Sequence, residues 1–314
     1  MPDGPTVIFI GGWGRTGSTL LARLLATSPG VANVGEIRYL WGRGLLGDSQ
    51  CGCGSPVQDC DFWSAVFERA GVAPSESYAR RMDSLVASSS LRRGMWRKSS
   101  PEDPDRSFLR AEMAELLQAV VDESGAKVIV DSSKDVSFLW AYPRDLRVVL
   151  VHFWRTPAAV VDAWTDSSRH RSVAIGSDAF PNFGLGRAVA YLYALNLMAL
   201  RARPRHLKLE RLTVDYESLV EDPEPVVLGI GDSVGRLGAP STLSSWKLPT
   251  DYGVQHSISG NPSRFDSRVK IRRDTRYRER MKPWHRWLVS LICAPLSLIV
   301  SITKRRDCAD LRSQ

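Results

Sequence analysis

Three short apolar runs set the rhythm of the chain: Val7 to Gly11, Lys127 to Asp131 and Arg147 to Phe153. Each is rich in β-branched residues and bounded by turn or polar residues, the pattern of strands buried on both faces of a parallel sheet. Between them, helical patterns run over Ser18 to Ser28, Ser107 to Ser124 and Ala158 to Ser167. Strands that alternate with helices predict an α/β fold in three layers, α/β/α, around a mostly parallel central sheet. Ligands of such sheets bind beyond the carboxyl ends of the strands. There, each predicted strand runs into a loop dense in chemistry.

The stretch 42–106 breaks the alternation with Gly, Ser, Pro and a basic run, Arg92-Arg93-Gly94-Met95-Trp96-Arg97-Lys98. It reads as an irregular insertion or an acceptor lid within a single domain spanning 1–314. Near the end, Leu288 to Ile302 is an apolar stretch of 15 residues, short of the roughly 20 that a membrane span needs. Residues 284–314 therefore read as a closing helix with a basic tail. An interfacial helix whose flanking Lys304, Arg305 and Arg306 touch lipid stays open as peripheral membrane contact.

At 314 residues, 43% hydrophobic and 24% charged, the chain can bury a full core. Its formal net charge of +8 suits an anionic partner without choosing one. The start, Met1-Pro2-Asp3-Gly4-Pro5, has no basic stretch ahead of the first apolar run, so the expected location is the cytoplasm. In that reducing setting Cys51, Cys53 and Cys60 read as free or packed thiols, because three thiolates without a His at ligand spacing do not make a familiar metal site. A structural zinc site on these thiolates stays open but is not favoured, and no metal is expected.

Strand Val7 to Gly11 opens into Gly12-Trp13-Gly14-Arg15-Thr16-Gly17-Ser18-Thr19, a Gly-rich turn that starts a helix. Such a turn offers backbone N–H groups and the positive end of a helix dipole to an anion. Gly12 and Gly17 have the spacing of an ATP-binding P-loop, but Ser18 stands where its lysine belongs, and the cation has moved to Arg15. The fold is thus P-loop-like without the kinase signature.

This loop resembles the 5′-phosphosulfate loop of sulfotransferases that use 3′-phosphoadenosine 5′-phosphosulfate (PAPS), in the bacterial and tyrosylprotein branches. The resemblance implies that Gly14, Arg15, Thr16, Gly17, Ser18 and Thr19 cradle the 5′-phosphate, with Arg15 beside the bridging oxygen where charge develops. Strand Arg147 to Phe153 followed by Trp154-Arg155-Thr156-Pro157 resembles the family's 3′-phosphate segment and assigns Arg155 to it. The serine expected eight residues later is Ala163 here, so a hydroxyl from elsewhere, such as Ser167, would replace it.

His256-Ser-Ile-Ser-Gly260-Asn261-Pro262-Ser263-Arg264 resembles a bacterial sulfotransferase segment near the nucleotide, which assigns Gly260, Asn261 and Arg264 to the cofactor. Tyr216, in Tyr216-Glu217-Ser218-Leu219, resembles a further nucleotide contact, and the carboxylates beside it read as structural. In Val34-Gly35-Glu36-Ile37-Arg38, Glu36 corresponds to the family's general base and Arg38 to an acceptor or sulfuryl contact. The resemblance in Asp131-Ser132-Ser133-Lys134 puts Lys134 at the transfer site.

Together these imply sulfuryl transfer from PAPS to a hydroxyl by in-line displacement, with a small molecule, glycan, lipid or peptide as acceptor and no nucleic acid. Two alternatives stay open. An ATP-dependent kinase would use Asp131 to hold Mg²⁺. A noncatalytic nucleotide-binding or nucleic-acid-binding module would need its cations clustered with aromatics on one face. His152, inside an apolar strand, reads as a satisfied core histidine, while His256 and Asp131 are the next candidates for the base.

Overall fold

A computed structural model of the chain describes residues 4–88, 103–166, 183–240 and 243–312. The basic run Arg92 to Lys98 and Ser167 lie outside them. The elements, in order, are β1 (Thr6–Gly12), α1 (Ser18–Leu25), β2 (Val31–Gly35), α2 (Asp61–Arg69), α3 (Glu76–Ser88) and α4 (Pro104–Ser124). Then come β3 (Val128–Lys134), β4 (Arg147–Trp154), α5 (Pro157–Thr165), α6 (Leu185–Arg201), β5 (Lys208–Asp215), α7 (Tyr216–Glu221), α8 (Pro223–Arg236), α9 (Tyr277–Arg280) and α10 (Pro283–Arg312).

The strands form one five-stranded sheet in the order β2-β3-β1-β4-β5, and every pairing is parallel. In register, Thr6 of β1 faces Val128 on one side and Arg147 on the other, so the three apolar runs read from the sequence lie side by side. Side chains alternate between faces, which splits the core in two. Val7, Phe9, Ile129, Val148 and Leu150 pack with α2, α3 and α4. Ile8, Ile10, Val130, Val149 and Val151 pack with α1 and α8. Each of these fully buried side chains contributes about 1.5–3 kcal/mol of transfer free energy.

Local signals set the helix ends. The Asp103 side chain accepts from Asp105 N–H at 3.1 Å, Pro104 opens α4, and Gly125 closes it in a left-handed conformation (φ 65°). The described part of 42–106 is not irregular throughout: α2 and α3 are regular helices, and Val57, Trp63, Phe67 and Met82 are buried in the core. The sequence hid this because its Gly- and Ser-rich segments precede and follow two short amphipathic helices.

α10 packs on the domain along Val289, Cys293, Leu296 and Val300, while Trp284, Trp287, Leu291, Leu298 and Ile302 face outward. The 15-residue measure understated it: Pro283–Asp307 is long and apolar enough, by length and composition, to cross a membrane. Lys304, expected at a lipid flank, instead bonds the Asp215 carboxylate and Ser218 Oγ (3.0 Å), and Asp307 accepts from Thr213 N–H at 2.7 Å. These contacts cover the exposed edge of β5.

Candidate active site

β1 delivers the loop Trp13–Gly17 to the carboxyl end of the sheet, between β3 and β4, where the strand order reverses. Thr16 Oγ1 donates to the Trp13 carbonyl at 3.1 Å and closes the loop on itself. Gly17 caps α1 with φ 98°, and a Cβ there would stand 2.7 Å from the Tyr216 ring. Glycine is required on both counts. The first N–H groups of α1, with the Ser18 and Thr19 hydroxyls, face a cavity of about 680 Å³ that also holds Arg15, Arg23, Glu36, Arg38, Lys134, Arg155 and Tyr216. That volume is within the usual range for small-molecule sites.

β2 and β3 supply a charged pair. Lys134 Nζ stands 2.5 Å from Glu36 Oε1, and both side chains are largely buried. The Glu36 N–H donates to the Ile258 carbonyl at 2.8 Å. A carbon added at Gly260 would lie 3.4 Å from Thr19 Oγ1 and 3.7 Å from Glu36 Oε1, so the pair sits directly beside the start of α1. Arg38 is fixed by Asp135 at 2.8 Å. Arg15 and Lys134 both adopt positive φ, 69° and 68°, and both line the cavity. Strain of that kind persists only where its surroundings over-determine it.

β4 places Arg155 against the other side of the loop. Its Nη1 donates to the Arg15 carbonyl (3.1 Å), its Nη2 to the Asp274 carbonyl (3.2 Å), and its guanidinium lies 4.4 Å over the Tyr216 ring. Burial works to raise the Asp274 carboxyl, but Arg276 and Arg155 hold it well below the usual carboxylate range. Tyr216 donates its hydroxyl to the Arg272 carbonyl (3.0 Å) and accepts from Asp274 N–H (3.3 Å). Glu217 accepts from Thr156 Oγ1 at 2.6 Å, which makes it structural, as expected.

Most residues singled out in the sequence meet here, and two do not. Thr16 spends its hydroxyl inside the loop. Arg264 is buried, does not line the cavity and braces two carbonyls, Gly260 at 3.0 Å and Gln50 at 3.1 Å, while its Nε has no partner among the described residues. The reserve bases are elsewhere too. Asp131 is fully buried beneath the loop, accepting from Tyr142 Oη (2.5 Å) and Ser133 N–H (2.7 Å), and burial pushes its pKa up to about 6. His256 faces the cysteine cluster. His152 is the core histidine expected: it bonds Asn196 Oδ1 at 2.9 Å, and burial lowers its pKa to about 4.

Two groups of lining residues were missed. Arg268, Lys270, Arg272 and Arg276 add cations from the far wall. Their alternation in Arg268-Val-Lys270-Ile-Arg272 was a readable signal of one shared face. Trp13, Trp164, Phe183 and Tyr191 form an aromatic wall, with Trp13 stacked on Trp164 at 5.0 Å and Trp164 Nε1 donating to the Gly14 carbonyl at 3.1 Å. They are scattered along the sequence, so no local pattern announces them.

A sequence model described as the Sulfotransferase family matches residues 5–236. No curated protein matches the chain by sequence. Among solved structures, the sulfotransferase domain of the Synechococcus PCC 7002 olefin synthase is 17% identical, with TM-score 0.43 over 93% of this chain and 95% of that one. The sulfotransferase domain from the curacin biosynthetic pathway is 13% identical, with TM-score 0.44 over 93% and 98%. A sulfotransferase from Mycobacterium tuberculosis H37Rv is 16% identical, with TM-score 0.40 over 88% and 76%.

Proposed function

The chain belongs to the Sulfotransferase family, and from that premise we propose that it moves a sulfuryl group from PAPS to a hydroxyl acceptor. The observation that carries the proposal is the Glu36–Lys134 pair at 2.5 Å, set beside the hydroxyl-rich start of α1 in one cavity. The donor set fits a bisphosphate. Arg155 is buried at the cavity wall with an Nε that has no partner among the described residues, and further cations line the same space.

When bound, the donor supplies an electrophilic sulfur on a phosphate leaving group. The N–H groups of α1 with Ser18 and Thr19 would hold the 5′-phosphate, with Arg15 beside them to stabilise charge on the departing oxygen. Arg155, with Arg272 or Arg276, would hold the 3′ end. Glu36 takes the proton of the acceptor hydroxyl. Lys134 fixes that carboxylate and adds positive charge where the sulfuryl oxygens lie. Arg38 orients the acceptor. The aromatic wall of Trp13, Trp164 and Tyr191 favours an acceptor with an apolar body over a wholly polar glycan.

The kinase alternative finds less support, because Asp131 is spent on Tyr142 and Ser133 and does not line the cavity. The outward face of α10, with Trp284, Trp287 and Leu291, supports peripheral contact with a membrane. The deciding test is thermal protection. 3′-Phosphoadenosine 5′-phosphate without metal should raise the melting temperature by mass action on the native state. Stronger protection by ATP with Mg²⁺ would overturn the proposal in favour of a kinase.

A further inference from the structure

Away from the cavity, the loop before α2 meets the segment before Gly260. Cys51 N–H donates to the Ser55 carbonyl at 2.8 Å and Gly52 N–H to the Ser257 carbonyl at 2.9 Å, and Cys51 forms an antiparallel bridge with Ile258. A Cβ at Gly52 would stand 2.3 Å from the Gln255 carbonyl oxygen, so only glycine permits this approach. The pairing brings His256 to three cysteines. Cys53 Sγ and Cys60 Sγ lie 3.7 Å apart, and His256 Nδ1 lies 3.3 Å from Cys60 Sγ and 3.7 Å from Cys51 Sγ. All four ligand atoms fall within 4.8 Å of one another.

A tetrahedral zinc centre, with Zn–S near 2.3 Å and Zn–N near 2.0–2.1 Å, sets its sulfurs about 3.8 Å apart and its sulfur–nitrogen pairs about 3.5 Å apart. The Cys53–Cys60, Cys60–His256 and Cys51–His256 separations match those edges. We propose that Cys51, Cys53, Cys60 and His256 form a Cys₃His site for Zn²⁺. The chemistry is consistent: three thiolates and one imidazole are soft and borderline donors in a four-coordinate set, which selects zinc over hard cations. All four positions are filled by protein, so the site is structural and closed to substrate.

Its surroundings hold the histidine in place by packing and by its backbone. Phe62 stacks on the His256 ring at 4.6 Å, and Trp63 Nε1 donates to the His256 carbonyl at 3.1 Å. Cys60 is the residue on which α2 begins, at the positive end of the helix dipole. The expectation of no metal rested on local spacing, and His256 lies 196 residues from Cys60, beyond any local motif. Bound zinc would fasten the 50–60 loop to the segment that supplies the Ile258 carbonyl to Glu36 N–H and Gly260 to the cavity. It would act as a staple behind the base, with no part in the transfer step.

The test is metal analysis of the full chain purified under reducing conditions, followed by reconstitution with Zn²⁺ or Co²⁺ alone. About one equivalent of zinc per chain is expected, and the cobalt form should show thiolate-to-metal charge transfer with the visible bands of a tetrahedral centre. His256→Ala should lower zinc below about 0.2 equivalents after exposure to a competing chelator, whereas His256→Cys, which restores four ligands, should keep it. The cobalt spectrum of the wild-type chain decides the matter even if His256→Ala fails to fold. A reduced, folded protein that takes up neither metal, a Cys53–Cys60 disulfide in freshly purified protein, or an unchanged cobalt spectrum in His256→Ala would each overturn the site.

Discussion

On the sheet side of the cavity, Arg15, Glu36 and Lys134 each stand within a few residues of the end of a strand. On the opposite side, Tyr252, Gly260, Arg268, Arg272 and Asp274 come from a stretch whose regular structure, among the described residues, is the short turn Pro262–Phe265. The sheet side is positioned by backbone ladders with hydrophobic layers on both faces. The coil side is positioned by side-chain pins: Arg23 onto the Ser263 and Asp266 carbonyls, Arg155 onto Asp274, Tyr216 onto Arg272 and Asp274. The proposed reacting groups thus stand on the half held by backbone ladders. The half held by pins carries groups proposed to bind without reacting. Loss of a sheet-side group should strike turnover, and loss of a coil-side pin should strike affinity.

The largest effect expected is that of Glu36→Gln. The substitution keeps the shape of the side chain and removes the basicity, so turnover should fall about 10²- to 10⁴-fold, the usual range for a lost general base. Affinity for 3′-phosphoadenosine 5′-phosphate should change little, because the effect belongs to the transition state. Single-turnover rates beside equilibrium binding would separate the two. Retention of more than about a tenth of the wild-type rate would break the assignment of chemistry to the sheet side.

Next comes the acid stability of the sheet itself. His152 bonds Asn196 through Nε2, and its buried Nδ1 has no partner among the described residues, so a second proton would place a charge in the core. With a folded pKa of about 4, below the ordinary value of 6.5, the unfolded chain binds the proton first. Stability from this group is therefore complete above about pH 6.5 and is lost as pH falls toward about 4. Asp131, raised to about 6, has the opposite sign: its contribution is present at low pH and is lost as pH rises through 6. The clean measurement is a difference. Chemical denaturation of His152→Gln and wild type at several pH values should show the gap narrowing in favour of the variant on acidification, by up to about 3 kcal/mol. A gap independent of pH would mean that His152 does not titrate differently on folding.

Arg155→Ala and Arg264→Ala probe the coil side from its two ends. Arg155 lines the cavity and should cost about 1.5–3 kcal/mol of nucleotide affinity, with turnover at saturation largely kept. Arg264 braces the Gly260 and Gln50 carbonyls, so its loss should lower the melting temperature while affinity falls less than for Arg155. Calorimetric titration beside thermal unfolding checks both. Equal affinity losses would mean that Arg264 reaches the ligand after all.

How far the sequence foretold this division follows from the same contrast. β1, β3 and β4 were legible because a buried parallel strand is a short apolar run, and their loops were legible because each adjoins its strand. β2 and β5 were harder to read. Val31-Ala-Asn-Val-Gly35 carries a polar residue at its centre, and Lys208–Asp215 is an edge strand with charges at Lys208, Glu210 and Arg211. On the coil side, Gly260 and Asn261 came from a motif, while the cations from Arg268 to Arg276 went unread. Arg264 came from the same motif, but a motif gives a residue's place in the chain and not the direction of its side chain, and here that side chain braces two carbonyls. His256 was read with the nucleotide for the same reason, although the fold turns it toward the cysteines.

The smallest effect isolates one pin. Tyr216→Phe keeps the ring that fills the space against Gly17 and removes the hydroxyl that donates to Arg272 and accepts from Asp274. The loop should therefore keep its shape while the coil side loses one tie to it. A net loss of about 0.5–1.5 kcal/mol is expected for hydrogen bonds of this kind, which is roughly 2- to 10-fold in nucleotide affinity. Turnover at saturating donor should stay within about twofold, because no reacting group moves. Competition binding with 3′-phosphoadenosine 5′-phosphate reads the first quantity and initial rates read the second. If Tyr216→Phe lowered turnover and left affinity intact, the coil side would be positioning the reacting groups, and the division of labour between the two halves would fail at its most sensitive point.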